Sequence, residues 1–190
     1  MTTHDQLVTV LRSLSDLAED IGTADPAGPT PCAGFTVADL RGHVVRWMTA
    51  FAAGLEDPDG RCPEDDVAVE GDGSAQISAL AGRIDAALGS APDILHIGGA
   101  GMPTSMAVPM ILAEYVVHGW DLAAATGARW EPDERAVEAS ITFMDAMLGP
   151  EFQGEGKDFG PRVEVPADAP ALDRLVALTG RDPGWTPAGA

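Results

Sequence analysis

Residues 104–127 read TSMAVPMILAEYVVHGWDLAAATG. From Met106 to Val117 the stretch is apolar on nearly every side, which is typical of a helix surrounded by other helices. Gly127 stands where a glycine commonly ends a helix in a left-handed conformation. We therefore predict a central helix from Thr104 to Thr126, with the rest of the chain arranged around it.

Two ionisable residues, Glu114 and His118, interrupt the apolar surface of this predicted helix. They are four positions apart, so their side chains share one face about one turn apart. Burial of such a pair is strongly unfavourable unless it is hydrogen-bonded, charge-paired or bound to a metal. The spacing differs from the HExxH motif of zinc proteases, so the pair alone does not distinguish a metal site from a satisfied buried pair.

Five further segments are predicted to be helical, because their apolar residues recur with a period of about 3.6 residues. Thr36 followed by Asp39 is a variant of the capping box and places the start of the second helix. Ser74 and Asp168 are the expected N-caps of two others. The predicted helices cover Asp5–Ile21, Thr36–Leu55, Ser74–Leu88, Glu131–Leu148 and Pro170–Thr179.

The segments between these helices are rich in glycine, proline and acidic residues. Residues 56–73 are predicted to form a long exposed loop. Residues 93–103 contain a glycine cluster and are predicted to be a connector with at most a short strand. Val163 and Val165 alternate like a short edge strand. Helices therefore dominate, and the predicted fold class is mainly all-α.

His43 is the third candidate metal ligand. It lies three positions after Leu40 and four before Trp47, on the apolar face of the second predicted helix, so its imidazole should point inward. Two imidazoles and one carboxylate leave a coordination position open, as in catalytic zinc sites, and the same ligands suit nickel, iron or manganese. The alternative is that His43 and His118 are hydrogen-bonded core histidines and Glu114 is their acidic neighbour.

Asp121 is a candidate for orienting one of the ligand histidines. One turn beyond His118, it could accept the free ring N–H of a ligand histidine, although it could equally be a surface aspartate. His4 and His96 are not predicted to be ligands, and His96 could at most line a pocket. Five methionines are predicted to fill the core rather than to bind a cofactor, namely Met102, Met106, Met110, Met144 and Met147.

The composition excludes several classes of partner. The 190 residues include 30 acidic and 11 basic ones, for a formal net charge of −19, so nucleic acid and anionic membranes are poor partners. The first residues lack the features of a signal peptide, and no stretch reaches the roughly 18 apolar residues of a membrane helix. Cys32 and Cys62 are too few for a disulfide framework and are predicted to be free thiols, so a cytoplasmic location is expected.

Three motifs together resemble a known family. They are TPCAGFTVADLRGHVV at residues 30–45, EYVVHGWDLAAATG at residues 114–127 and FGPRVEVPADAPALDRLVALTGRDPGW at residues 159–185. Their combination is similar to the actinobacterial metal-binding proteins related to the N-terminal domain of mycothiol-dependent maleylpyruvate isomerase, within the DinB/YfiT-like superfamily. The resemblance implies that His43, Glu114 and His118 bind the metal. Phe35 departs from the family, in which a tryptophan is more usual at this position.

The resemblance also implies an architecture. It predicts a DinB/YfiT-like four-helix bundle with the metal in a pocket near one end. We expect the bundle to occupy residues 1–150 and a small strand-plus-helix extension, packed on the bundle, to occupy residues 151–190. The C-terminal segment resembles other family members more than the isomerase's own C-terminal domain, so the isomerase activity itself is not implied.

The expected function follows from the ligand set and the resemblance. We expect a divalent metal, zinc first, in a protein that transfers a low-molecular-weight thiol such as mycothiol to a small electrophile or uses the thiol to assist an isomerisation. One alternative is a hydrolase or biosynthetic tailoring enzyme that uses metal-activated water. The other is a non-catalytic metal-binding or stress-response protein. The sequence assigns no catalytic residue beyond the ligands, and it leaves the substrate and a homodimeric state open.

Overall fold

The computed structural model describes residues 2–22, 24–157 and 159–187. Within these ranges the chain forms six helices and two short strands. The mainly helical fold predicted from the sequence is therefore confirmed, and it is consistent with a DinB-like arrangement. The elements are α1 (Thr3–Ile21), α2 (Val37–Glu56), α3 (Ser74–Leu88), β1 (Ile94–Ile97), β2 (Ala100–Pro103), α4 (Thr104–Thr126), α5 (Glu134–Met147) and α6 (Ala171–Leu178).

The central helix α4 covers the residues predicted for it. Gly127 ends it in the left-handed conformation with φ of 71°, a conformation that a glycine adopts without steric penalty. Pro109 lies inside the helix, about one and a half turns from its start. Because α4 contacts α1, α2, α5, α6 and both strands, it is the element around which the rest of the chain is arranged.

The start of α2 is fixed by its own sequence. The Asp39 amide donates to the Thr36 hydroxyl at 3.2 Å, and the Thr36 amide donates to the Asp39 carboxylate at 3.0 Å. This reciprocal pair satisfies two amides that a helix start leaves without partners. The predicted capping box is therefore confirmed, and it places His43 about two turns into α2.

One hydrophobic core joins the helices. α1 packs against α3 and α4, and α2 packs against the same two helices. The short helix α6 packs on α5 and touches α4. The largest side chains that are almost fully buried come from all of these layers except α5, and they include Leu7, Leu11, Leu14, Leu40, Met48, Ile84, Ile111, Leu112 and Leu175.

The connector predicted over residues 93–103 forms an antiparallel hairpin instead. Leu95 of β1 lies opposite Met102 of β2, and the two intervening glycines, Gly98 and Gly99, both have positive φ of 58° and 78°. A two-residue turn in which both residues have positive φ matches the right-handed twist of the two strands that it connects. The preceding loop is anchored to this hairpin, because the Cys62 amide donates to the His96 carbonyl at 3.1 Å.

The C-terminal region corrects two predictions. Val163 and Val165 do not form a strand, because the Val163 amide is satisfied by the carbonyl of Ala177 near the end of α6 rather than by a neighbouring strand. Helix α6 begins after Pro170 and has no side-chain cap, so Asp168 is not its N-cap. Ser74 likewise starts α3 as its first residue, with Gly73 in the cap position.

The helices carry no membrane signal. Among the described residues, no helix combines the length and the apolar character needed to cross a bilayer.

Candidate metal centre

The three predicted ligands meet where α2 crosses α4. The Nε2 atom of His43 lies 2.9 Å from Oε1 of Glu114, and Nε2 of His118 lies 3.1 Å from the same oxygen. The two imidazole centroids are 5.0 Å apart with their planes at 76°, so both rings present an edge nitrogen to the carboxylate. One donor atom from each residue lies within 4.8 Å of the other two.

A buried carboxylate holds His118 from behind. The Nδ1 atom of His118 lies 2.9 Å from Oδ2 of Asp121, a residue with no solvent exposure. Because Nδ1–H donates to Asp121, neutral His118 would carry its lone pair on Nε2, facing Glu114 and His43, which is the tautomer a metal ligand requires. Asp121 thus occupies the orienting position suggested by its spacing.

Arg181 neutralises this buried carboxylate. Its Nη2 donates to Oδ2 of Asp121 at 3.1 Å and its Nε lies 3.3 Å from Oδ1, while Nη1 donates to the Thr179 carbonyl at 3.0 Å. Burial would lower the pKa of Arg181, but the ion pair with Asp121 outweighs it and raises the pKa. The guanidinium therefore stays charged and acts as a fixed counterion.

The charges around the ligands leave a deficit of positive charge. Two carboxylates, Glu114 and Asp121, face one guanidinium, that of Arg181. Burial alone would lower the pKa of His118, yet the two carboxylates raise it to about 9. Burial would raise the pKa of Glu114, and the two histidines bring it well below its ordinary value. A proton on His118 therefore supplies the missing charge at neutral pH.

The spacing and the charge of the three donor residues fit a divalent metal. A tetrahedral metal with ligands at about 2.0–2.1 Å needs donor atoms about 3.3 Å apart, which is a few tenths of an ångström more than the 2.9 and 3.1 Å found here. A dication would also replace the proton on His118 as the balancing charge. The described residues could therefore bind a metal through His43, Glu114 and His118.

The three donors lie on the wall of a cavity rather than in a sealed core. The cavity has a volume of about 410 Å³, within the range of about 300–1,000 Å³ that is usual for small-molecule sites. His118 is buried, whereas the side chains of His43 and Glu114 are 23% and 29% exposed. The other lining residues include Cys32, Phe35, Met110, Met144, Phe159 and Arg181.

Comparison with known proteins identifies the family. The family model of the mycothiol maleylpyruvate isomerase N-terminal domain matches residues 7–123. The chain belongs to this family. Two similar relatives are the uncharacterized proteins MT0763 and Rv0738 of two Mycobacterium tuberculosis strains, each 30% identical over 161 residues, which is 81% of this chain and 84% of the relative. No solved structure shows a significant match.

The candidate ligands lie in the family domain, and the segment that follows the domain contributes to their surroundings. His43, Glu114, His118 and Asp121 all lie within the matched residues 7–123. Arg181 lies after the matched region and approaches Asp121 across 60 positions of the sequence. No spacing rule connects an arginine in a loop after α6 with an aspartate in α4. Arg181 was therefore not predicted as part of the centre, although it lies within the third family motif.

The structure separates the remaining candidates from the centre. His4 lies at the start of α1, with Nε2 2.9 Å from Asp85 of α3. His96 lines a separate open pocket beside Arg61 and Cys62. Neither histidine belongs to a group of potential metal ligands among the described residues.

Cys32 is the second feature that sequence analysis did not assign to the centre. Its Sγ lies 3.6 Å from Nη2 of Arg181, and it forms a second group of potential donors with His118 and Asp121. Burial raises the pKa of its thiol to about 11, although Arg181 opposes the shift. Cys32 is therefore a thiol rather than a thiolate at neutral pH, and the prediction that it is a free cysteine is confirmed.

Proposed function

We propose that this family member is a divalent-metal-dependent enzyme that transfers a low-molecular-weight thiol of the mycothiol type to a small electrophile, or uses that thiol to assist an isomerisation. The observation that carries the proposal is the convergence of three donors, from His43, Glu114 and His118, on the wall of an accessible cavity. A site that only stabilises a fold usually closes with four protein ligands. Zinc is the proposed metal, and nickel, iron and manganese suit the same donors.

The family supports a thiol as co-substrate. The description of the matched domain names mycothiol, and the chain itself offers no activated sulfur at the centre. Of the two cysteines, Cys32 lines the cavity, and burial keeps its thiol protonated. The nucleophilic sulfur is therefore proposed to come from a second molecule bound in the cavity.

The residues of the chain prepare the site for this reaction. Asp121 orients His118, and Arg181 donates to the Asp121 carboxylate and holds it in place. Phe35 and Met110 form apolar parts of the cavity wall. A bound metal would supply Lewis-acid stabilisation of the thiolate over the thiol. In a transfer, the sulfur forms a bond to the electrophilic carbon, the thiol proton passes to water, and the leaving group departs with the bonding electron pair.

Cobalt substitution tests the thiol directly. N-acetylcysteine should produce a sulfur-to-metal charge-transfer band in the cobalt-loaded protein, whereas N-acetylserine, which differs only in oxygen for sulfur, should not. The band should disappear in His43→Ala and persist in His96→Ala, because His96 lies in a separate pocket. Thiol consumption with a panel of electrophiles should require the metal, should be lost in His43→Ala and should be retained in His96→Ala.

The other outcomes assign the site differently. Equal perturbation of the cobalt spectrum by N-acetylserine and N-acetylcysteine, without a charge-transfer band, would replace thiol transfer by hydrolysis or tailoring chemistry through metal-activated water. A spectrum that neither compound changes would leave a non-catalytic metal-binding role.

A further inference from the structure

An apolar groove continues from the metal centre. It has a volume of about 530 Å³ and shares residues with the metal cavity. The shared residues are His43, Met110, Glu114, Met144 and Phe159. A molecule whose reacting group lies at the metal centre would therefore extend directly into the groove.

Most phenylalanine and methionine side chains of the protein line this groove. Four of the five phenylalanines and four of the seven methionines line it. The prediction that the methionines fill the core therefore needs correction: Met144 is buried, Met102 and Met110 pack against the core while facing the groove, and Met106 is 39% exposed. Flexible thioethers and aromatic rings together form a surface that adapts to apolar ligands.

Five parts of the chain enclose the groove. Trp47 comes from α2, Met110 from α4 and Phe143 from α5. The hairpin contributes Met102, and the segment after α5 contributes Phe152, which is 43% exposed at the rim. A concave surface bounded on so many sides suits a small molecule that enters it lengthwise.

Charge is confined to one end of the groove. Of the described lining residues, only His43 and Glu114 are ionisable, and both belong to the metal centre. No lysine or arginine lines the groove among these residues. Arg181, which lines the metal cavity, is already committed to Asp121. A second anionic group on a ligand would therefore be desolvated in the groove without a partner, which is strongly unfavourable.

We infer that the substrate carries an uncharged, apolar arm, aliphatic or aromatic, that occupies this groove while its polar reacting group lies at Glu114 and the two histidines. Small dianions with a charge at each end are excluded by the same geometry. The chemistry assigned to the reacting group rests on the proposed function. The binding of the apolar arm does not.

A displacement assay on the zinc-loaded protein tests the inference. N-phenyl-1-naphthylamine, an uncharged fluorescent probe, should bind with increased emission, and 1-hexanol, 1-heptanol and 1-octanol should displace it. Each added methylene should improve displacement about fourfold, the ratio expected for transfer of one methylene from water to an apolar site. Octanoate and suberate share length and one carboxylate, and suberate should be at least tenfold weaker because its second carboxylate would enter the groove.

Matched variants locate the binding site. Met147→Asp places a carboxylate in the groove, and Met106→Asp makes the same change at an exposed position outside it. The first should weaken probe binding at least tenfold and the second should leave it unchanged, with Met147→Leu retaining binding. Far-ultraviolet circular dichroism of the three variants verifies that they fold.

The results separate this inference from the proposed function. Suberate binding as tightly as octanoate, no dependence on methylene number, or equal effects of the two aspartate variants would each overturn the apolar arm, even if the cobalt protein responds to the thiol. Probe displacement as expected, in a protein whose cobalt spectrum ignores N-acetylcysteine, would support the apolar arm and reject thiol transfer.

Discussion

At the scale of single residues, a proton and the proposed metal would compete for the same nitrogen of the candidate centre. Nε2 of His118 points at Glu114, and Asp121 fixes the other side of the ring. The two carboxylates hold the pKa of His118 at about 9 against the opposing effect of burial. A metal could use this nitrogen only after the proton has left, so the proposed metal binding would release a proton.

The first prediction concerns this competition. Because His118 keeps its proton up to a pKa of about 9, apparent zinc affinity should rise about tenfold per pH unit between roughly pH 7 and 9 and level off above, as expected for one displaced proton. Competition with a chromophoric chelator in a non-coordinating buffer measures this slope. His4→Ala should have the same slope, since His4 pairs with Asp85. A flat profile for the unmodified protein would contradict the role of His118.

At the scale of helices and strands, the sequence was most informative where one signal dominated. Helix α4 was predicted to the residue because its surface is apolar all round and Gly127 ends it. The hairpin was not predicted, because only Leu95 is buried in β1 and a single inward residue produces no alternation. The expected strand at Val163 fails for a related reason, since its amide is bonded to the end of a helix.

The second prediction tests how tightly α4 is packed next to His118. A Cβ added at Gly119 would lie 2.4 Å from Cζ2 of Trp130, a buried ring whose Nε1 donates to the Val116 carbonyl at 3.0 Å. Gly119→Ala should therefore lower the free energy of unfolding by about 1–3 kcal/mol through overpacking. Urea denaturation measures the loss, and tryptophan fluorescence reports the displacement of Trp130.

Gly42 is the matched control for this variant. It also lies inside a helix, α2, but a Cβ there would meet nothing within 4 Å. Gly42→Ala should stabilise the protein by up to about 1 kcal/mol, because alanine favours a helix over glycine. Equal effects of the two substitutions would show that helix propensity, and not contact with Trp130, decides the result at Gly119.

At the scale of the whole molecule, the candidate centre joins two parts of the chain. Four of its residues could be predicted, because spacing along a single helix determines which face each side chain occupies. They are His43 in α2 and Glu114, His118 and Asp121 in α4. Arg181 could not be predicted, because its position depends on the turn that follows α6. That turn needs Gly180, whose φ is 83° and whose added Cβ would lie 2.6 Å from the Gly160 carbonyl oxygen.

Several backbone contacts secure this turn. The Arg181 amide donates to the Val176 carbonyl at 2.9 Å, and the Gly180 amide donates to the Ala177 carbonyl at 3.1 Å. Helix α6 in turn packs on α5 and touches α4. The segment after the family domain therefore supplies the arginine that pairs with a carboxylate buried within that domain, and we expect the stabilities of the two parts to depend on each other.

The last prediction measures this dependence without a metal present. Arg181→Gln removes the guanidinium from the buried Asp121, which then keeps only His118 as an ionic partner, and should lower the free energy of unfolding by about 3 kcal/mol in the presence of a chelator. Arg174→Gln removes an arginine of α6 that pairs with Glu138 on the surface and should cost under about 1 kcal/mol.

In a double-mutant cycle, Arg181→Gln combined with Asp121→Asn should cost at least about 1 kcal/mol less than the sum of the single changes, since each partner is then neutral. Additive costs would mean that Arg181 stabilises the C-terminal segment independently of Asp121, and the two parts of the chain would then not be coupled through the candidate centre.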